Sequence, residues 1–176
     1  MRTIKHTAII LFAILALYSC RKIEHLSPVP HIEFTSFDVF DTIDILNNPY
    51  KAGRLKFTFE DGDGDIGLES PEVSGMIDST NLFFILYRKK GGTMVQVPDS
   101  GDFMKPNSYR IPYMERLGQN KILKGTISVT FLYTFYEPKD SNIIRYDFFI
   151  KDRADNVSDT ASTSEIPLSV NGLYKN

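Results

Sequence analysis

The chain has 176 residues, room for one domain with a short leader and tail, and an apolar share of 42% that permits a sizeable core. Its formal charge is −2, and beyond residues 1–19 the balance is 18 basic against 22 acidic side chains. That mild acidity leaves no electrostatic footprint for nucleic acid, and one cysteine with three histidines leaves little material for zinc or triad chemistry.

The N-terminus reads "MRTIKHTAIILFAILALYSC". Arg2 and Lys5 precede an unbroken apolar run from Ala8 to Leu17, the length of a secretory h-region and well short of the ~20 residues that span a bilayer. The closing "LYSC" resembles the lipobox of bacterial lipoproteins, with Leu17, then a small Ser19 immediately before Cys20; Tyr18 departs from it, since a small residue is usual there. The resemblance implies that residues 1–19 are a lipoprotein signal peptide. Cys20 would then take a diacylglyceryl thioether, and the amino group exposed by cleavage would be acylated. Each buried CH₂ contributes ~0.8 kcal/mol, so two or more chains hold a protein stably on a membrane. The competing reading is an ordinary signal with a chance cysteine. By the same resemblance, Arg21 after the cysteine favours the outer membrane. "RKIEH" lacks the acidic cluster that directs some such proteins to the surface, so a periplasm-facing position is expected in preference to a surface-exposed one.

Residues 20–30 form a lipidated tether kept extended by Pro28 and Pro30. The domain is expected over 31–172. "HIEFTSFDVF" alternates loosely, "DTIDIL" continues or pairs with it, and "NNPYKAG" is a turn cluster. "RLKFTFE" sets Leu55, Phe57 and Phe59 on one face. "NLFFILYRKK" is apolar on both faces, as a central strand is, and Gly91-Gly92 turn it into "TMVQVP". "NSYRIPY" reads as an edge strand because Pro112 cannot donate to a ladder. "PYMERLGQNKIL" offers at most a turn of helix. In "LKGTISVTFLYTFYE" Ile127, Val129, Phe131, Tyr133 and Phe135 share a face, and in "NIIRYDFFIKD" Ile144, Tyr146, Phe148 and Ile150 do. "TASTSEIPLSV" closes the domain. The pattern predicts an all-β fold, an antiparallel immunoglobulin- or fibronectin-like β-sandwich of seven to nine strands, with a closed barrel as the alternative.

"EDGDGDIGLESPE" sets Asp61, Asp63 and Asp65 at alternate positions with glycines between. A hard cation such as Ca²⁺ takes about six to eight oxygens, which a tightly curled acidic loop can supply. Counting from Asp61, Glu72 falls twelfth as in an EF-hand, but Ile66 stands where the invariant glycine belongs, a strand precedes and Pro71 opposes an exit helix. In an immunoglobulin-like topology the loop "KDRADNVSD", with Asp152, Asp155 and Asn156, lies at the same end. A shared Ca²⁺ site of Asp61, Asp63, Asp65, Asp152 and Asp155 is therefore expected there, against the plainer reading of solvated turns.

The histidines are His6, His25 and His31, in the signal or beside the tether, so no general base serves a nucleophile in the body of the domain. Glu60 and Asp61, neighbours on one strand, point to opposite faces and make a poor glycosidase pair. No catalytic residue and no enzyme activity are expected. Tyr109, Arg110 and Tyr113 are candidate interface anchors, since Tyr and Arg are favoured at such surfaces.

Taken together, "VPHIEFTSF", "FTFEDGDGDIGL", "YRIPY", "GQNKILKGTISV" and "IRYDFFIKDRADNVSD" resemble a group of uncharacterised Bacteroidota-type lipoproteins over most of residues 29–168. The resemblance implies lipid anchoring and an all-β domain and carries no catalytic residue. The functional expectation is a non-enzymatic accessory or scaffold subunit of an outer-membrane protein complex. A calcium-dependent ligand- or glycan-binding module is the alternative.

Overall fold

The computed structural model describes residues 25–70, 80–98, 106, 108–115, 121–133, 136 and 143–175. The signal segment, Cys20 and the first part of the tether lie outside them, as do Glu72 and most of "ERLGQN". The described chain is all-β with its named strands paired antiparallel, and no described residue is helical.

The strands are β1 (His31–Ile43), β2 (Pro49–Asp61), β3 (Leu82–Lys90), β4 (Thr93–Gln96), β5 (Leu123–Tyr133), β6 (Ile143–Ile150), β7 (Ala161–Ser162), β8 (Ile166–Pro167) and β9 (Gly172–Tyr174). One sheet runs β5-β2-β1-β9 and the other β4-β3-β6-β7, with β8 also on β6. The two sheets close over a shared core, which makes the domain a β-sandwich.

Alternation decides which side chains enter that core. In β6, Ile144, Tyr146, Phe148 and Ile150 are buried and their neighbours are partly exposed. In β5 the inward residues deepen from Ile127 and Val129 to buried Phe131 and Tyr133. The loose alternation of β1 has a specific cause. The pairing with β2 shifts register between Phe34 and Ser36, so Ile32 faces inward before the bulge and Phe37 and Val39 after it. One extra residue reverses strand parity, which keeps both halves facing the core.

Two sequence readings need correction. "NNPYKAG" is a turn only at its start: β2 begins at Pro49 and pairs from there with Ile43. Pro49 takes the first strand position, where its missing N–H does no harm. Gly53 is a strand glycine because the ring of Phe37 occupies its side-chain space; a Cβ would lie 2.4 Å from Phe37 Cζ and 2.9 Å from Tyr133 Oη. The segment around Tyr109 is not a strand. It makes single bridges, Tyr109 with Leu82 and Pro112 with Leu68, and so braces the acidic loop.

The hairpin between β3 and β4 turns on Gly91 and Gly92, both at positive φ (57° and 87°), which suits a two-residue turn. The last strand, β9, crosses to the first sheet and pairs Phe37 with Tyr174.

Gly53→Ala should lower the unfolding free energy by about 1–3 kcal/mol, because the added methyl overpacks a filled site. Urea denaturation of the protein measures this, and an unchanged midpoint would contradict the close packing.

Candidate metal centre

Asp61 is the last residue of β2 and keeps the inward parity of Leu55, Phe57 and Phe59. Its carboxylate therefore enters the end of the sandwich, where it is 0% exposed. There Oδ2 accepts from the amides of Asp65 (2.8 Å) and Ile66 (3.2 Å), which folds the loop back and drives fully buried Ile66 into the core as a plug. Gly64 and Gly67 take positive φ (65° and 94°), the curl that the two bonds require.

The curl gathers three acids. One carboxylate oxygen each from Asp61, Asp63 and Asp65 lies within 4.8 Å of the others. Burial pushes the Asp61 carboxyl up to about 6, with its contact to Asp63 adding to the rise and the two amide donors opposing it. Asp65 is raised too, first by burial, then by the charges of Asp152 and Asp63, while Arg153 opposes the rise.

The loop between β6 and β7 does reach this rim. Arg153 N donates to Asp65 O at 3.4 Å, and the Arg153 guanidinium donates to Gly67 O at 2.6 Å and lies 5.0 Å from the Tyr113 ring centroid. The acids of that loop, however, are not gathered with the other three. Asp152 is buried with both oxygens occupied inside its own turn, accepting from Asn156 N (2.8 Å) and Asn156 Nδ2 (2.9 Å). Asp155, at φ 70°, points outward to Lys151 Nζ at 2.7 Å. Asp152 thus acts on Asp65 through charge, and Asp155 stands apart.

Two further segments complete the rim. Leu68 N donates to Ile111 O (2.9 Å) and Tyr113 N to Leu68 O (3.0 Å). Gly62 N donates to Ser27 O (2.9 Å), and a Cβ on Gly62 would lie 2.4 Å from Leu26 O, so residues 26 and 27 lie directly on the acidic loop. Of the candidate interface residues, Tyr109 is half-buried, its ring packed on Phe84 (6.0 Å) and Phe131 (5.7 Å). Arg110 is half-buried, and Tyr113 is exposed beside Arg153. The sequence reading missed Arg153; a basic residue between the acids of "KDRADN" was the available signal. The contact of Gly62 with Ser27 had none.

Two grooves lie elsewhere. One of about 550 Å³ on the outer face of the first sheet is lined by His31, Glu33, Thr58, Glu60 and Lys124. The other, of about 360 Å³ at the opposite end, is lined by Asp41, Tyr50, Lys51, Tyr133 and Tyr136. No protein-family model matches the chain, and no curated protein or solved structure matches it.

The raised Asp61 carboxyl has a pH signature. The folded state holds that proton more tightly than the unfolded chain, so the associated stability is present below 3.8 and is lost as pH rises to about 6. In chelator, thermal melts should show the wild type losing stability relative to Asp61→Asn across that interval. Parallel curves for the two proteins would contradict the buried placement.

Proposed function

We propose that the chain is a lipid-anchored lipoprotein of the outer membrane, of the Bacteroidota type, held there by acyl chains on Cys20. It acts without catalysis, as an accessory or scaffold subunit of an envelope assembly. The division of strands supports an immunoglobulin- or fibronectin-like domain: first, second and fifth in one sheet, third, sixth and seventh in the other.

The observation that carries the docking role lies at the end of the β1–β2 hairpin. β1 is 13 residues long, so this turn stands roughly 40 Å from the tether. Ile43, Ile45 and Leu46 are 63%, 100% and 76% exposed there. The turn is nevertheless built: Asp44 Oδ1 accepts from Leu46 N and Asn48 N, both at 2.8 Å, and Oδ2 from Asn48 Nδ2 at 2.9 Å. Asp44 N donates to Asn48 O and Asn47 N to Asp44 O, each at 3.0 Å. A rigid frame that presents bare Ile and Leu suits a preorganised contact, because little ordering entropy remains to be lost on docking.

The partner is a protein. Residues 41–50 contain no Lys or Arg, and Lys51 beside them is paired to Asp41 at 2.6 Å, so the tip lacks the basic groups that draw a segment to anionic lipid. The tip also stands away from the anchor. Between Cys20 and Ser27 the chain spans at most about 25 Å, which keeps the tether end, and not the tip, close to the membrane.

Cys20→Ser should move the protein from the membrane to the soluble fraction on cell fractionation; retention in the membrane would refute the lipid anchor. In detergent extracts, a tagged wild type should retain a stoichiometric membrane protein, and the double variant Ile45→Asp, Leu46→Asp should lose it with an unchanged melting temperature. Equal recovery of that protein by the variant, or no partner for the wild type, would refute docking at the turn.

The second reading is a ligand- or glycan-binding module. It is favoured by the groove beside this turn, where Lys51 Nζ lies 5.6 Å from the Tyr136 ring centroid and Tyr50 lines the wall. Glycan retention that Tyr50→Ala abolishes, with no protein partner recovered, would favour that reading.

A further inference from the structure

We propose that the rim at the tether end binds one Ca²⁺ through the carboxylates of Asp61, Asp63 and Asp65. This site goes beyond the docking role of the opposite end and does not depend on it.

Three carboxylates side by side are common at turns and are not in themselves a site. The added observation is Asp61. It is 0% exposed, and its Oδ1 accepts no hydrogen bond from any described residue, although Oδ2 is fully engaged in folding the loop. A buried carboxylate oxygen without a donor is expensive to keep, and such groups are satisfied by a proton, a water or a cation. Asp65 Oδ1 is likewise inaccessible and accepts no hydrogen bond from the described residues. Because the strand parity of β2 forces Asp61 inward, an apolar residue would fill this position more simply. The position instead holds an acid that meets two others.

The cation class follows from donors and spacing. Every donor in the cluster is oxygen, with no imidazole or thiol, which selects a hard cation over zinc or copper. Oxygens bound to calcium at about 2.4 Å stand at most about 4.8 Å apart across the ion. The three Asp oxygens lie within 4.8 Å of one another, inside that limit, so small side-chain rotations suffice to bring all three to one such ion. Magnesium demands shorter, near-octahedral contacts and gives up its waters reluctantly, so an adaptable loop of carboxylates favours calcium. Asp63 and Asp65 are partly exposed, which leaves one side open for water to complete the shell. The Arg153 guanidinium, held by Gly67 O at 2.6 Å, offsets part of the negative charge on Asp65 from one edge.

The consequence is mechanical as well. The curl of 61–67 bears on the tether through Gly62 and Ser27, on the β6–β7 loop through Arg153, and on Ile111 and Tyr113 through Leu68. One ion therefore fastens four segments at the membrane-facing end.

The test is calorimetric titration of the chelator-stripped mature chain with CaCl₂, and then with MgCl₂, together with thermal melts. One saturable calcium site is expected, with magnesium at least about tenfold weaker, and a melting temperature raised by roughly 5–10 °C at about a hundredfold excess over Kd. Asp61→Asn tests the buried ligand but also perturbs the bonds that fold the loop. Asp63→Asn is the cleaner variant. In chelator it should melt at or above the wild type, because repulsion is relieved, and it should lose the calcium-induced rise and bind at least about tenfold more weakly. Identical wild-type melts in calcium and chelator, with no saturable heat, would overturn the proposal. So would an Asp63→Asn protein that binds calcium as the wild type does, or equal affinity for magnesium. None of these results bears on partner recovery through Ile45 and Leu46.

Discussion

The fold depends on aromatic side chains that meet between the two sheets. Phe57 of the first sheet lies 5.1 Å from Phe148 of the second, and Phe131 lies 5.3 Å from Phe84 and 5.8 Å from Tyr146, ring to ring. Phe37, released from strand parity by the bulge, fills the space beside Phe131 and Tyr146. Tilted and edge-on rings pack densely and add specific electrostatic contact to their burial. The Tyr133 and Tyr146 hydroxyls, 3.0 Å apart, satisfy each other inside this layer. Burial holds the Tyr133 hydroxyl well above its ordinary pKa, so it stays a neutral partner.

That layer determines what happens at both ends. With β2 and β5 paired in register from Lys51–Tyr133 to Asp61–Leu123, the inward row of β2 cannot rotate away as it leaves the core. Its last member is Asp61, so a carboxylate is carried into a dry position and the loop after it must close around that group. The β6–β7 loop follows Phe148 and Ile150 to the same rim and contributes Arg153 rather than further acid. At the other end the same hairpin runs past the core, and Asp44 holds a turn whose apolar residues stand exposed. One end is thus built around charge and the other around exposed hydrocarbon. Residues 26 and 27 lie on Gly62 at the charged end.

Much of this was legible in the sequence, for a physical reason in each case. The faces of β5 and β6 were read correctly because period-two patterning reports burial directly when one side of a strand is solvated. The paired glycines of the β3–β4 hairpin announced their turn because few other residues tolerate positive φ at both positions. Gly53 and Pro49 were misread as turn residues, since local chemistry does not reveal that Phe37 needs the space of a side chain. The segment around Tyr109 resembled a strand, but its residues pair singly, with Leu82 and Leu68 on different segments. At the rim, the convergence of the two loops followed from topology. The fate of each carboxylate did not: Asn156 occupies both oxygens of Asp152, and Lys151 takes Asp155, local pairings that depend on turn conformation.

The claim on which the rest stands is that the two sheets pack face to face and so bring the 61–67 loop against Arg153. A nuclear Overhauser spectrum of residues 25–176 tests it most directly. Cross-peaks between Phe57 and Phe148, between Phe131 and Tyr146, and from Arg153 to Tyr113 are the predicted result. Ring contacts confined within each sheet, with Arg153 remote from Tyr113, would contradict it.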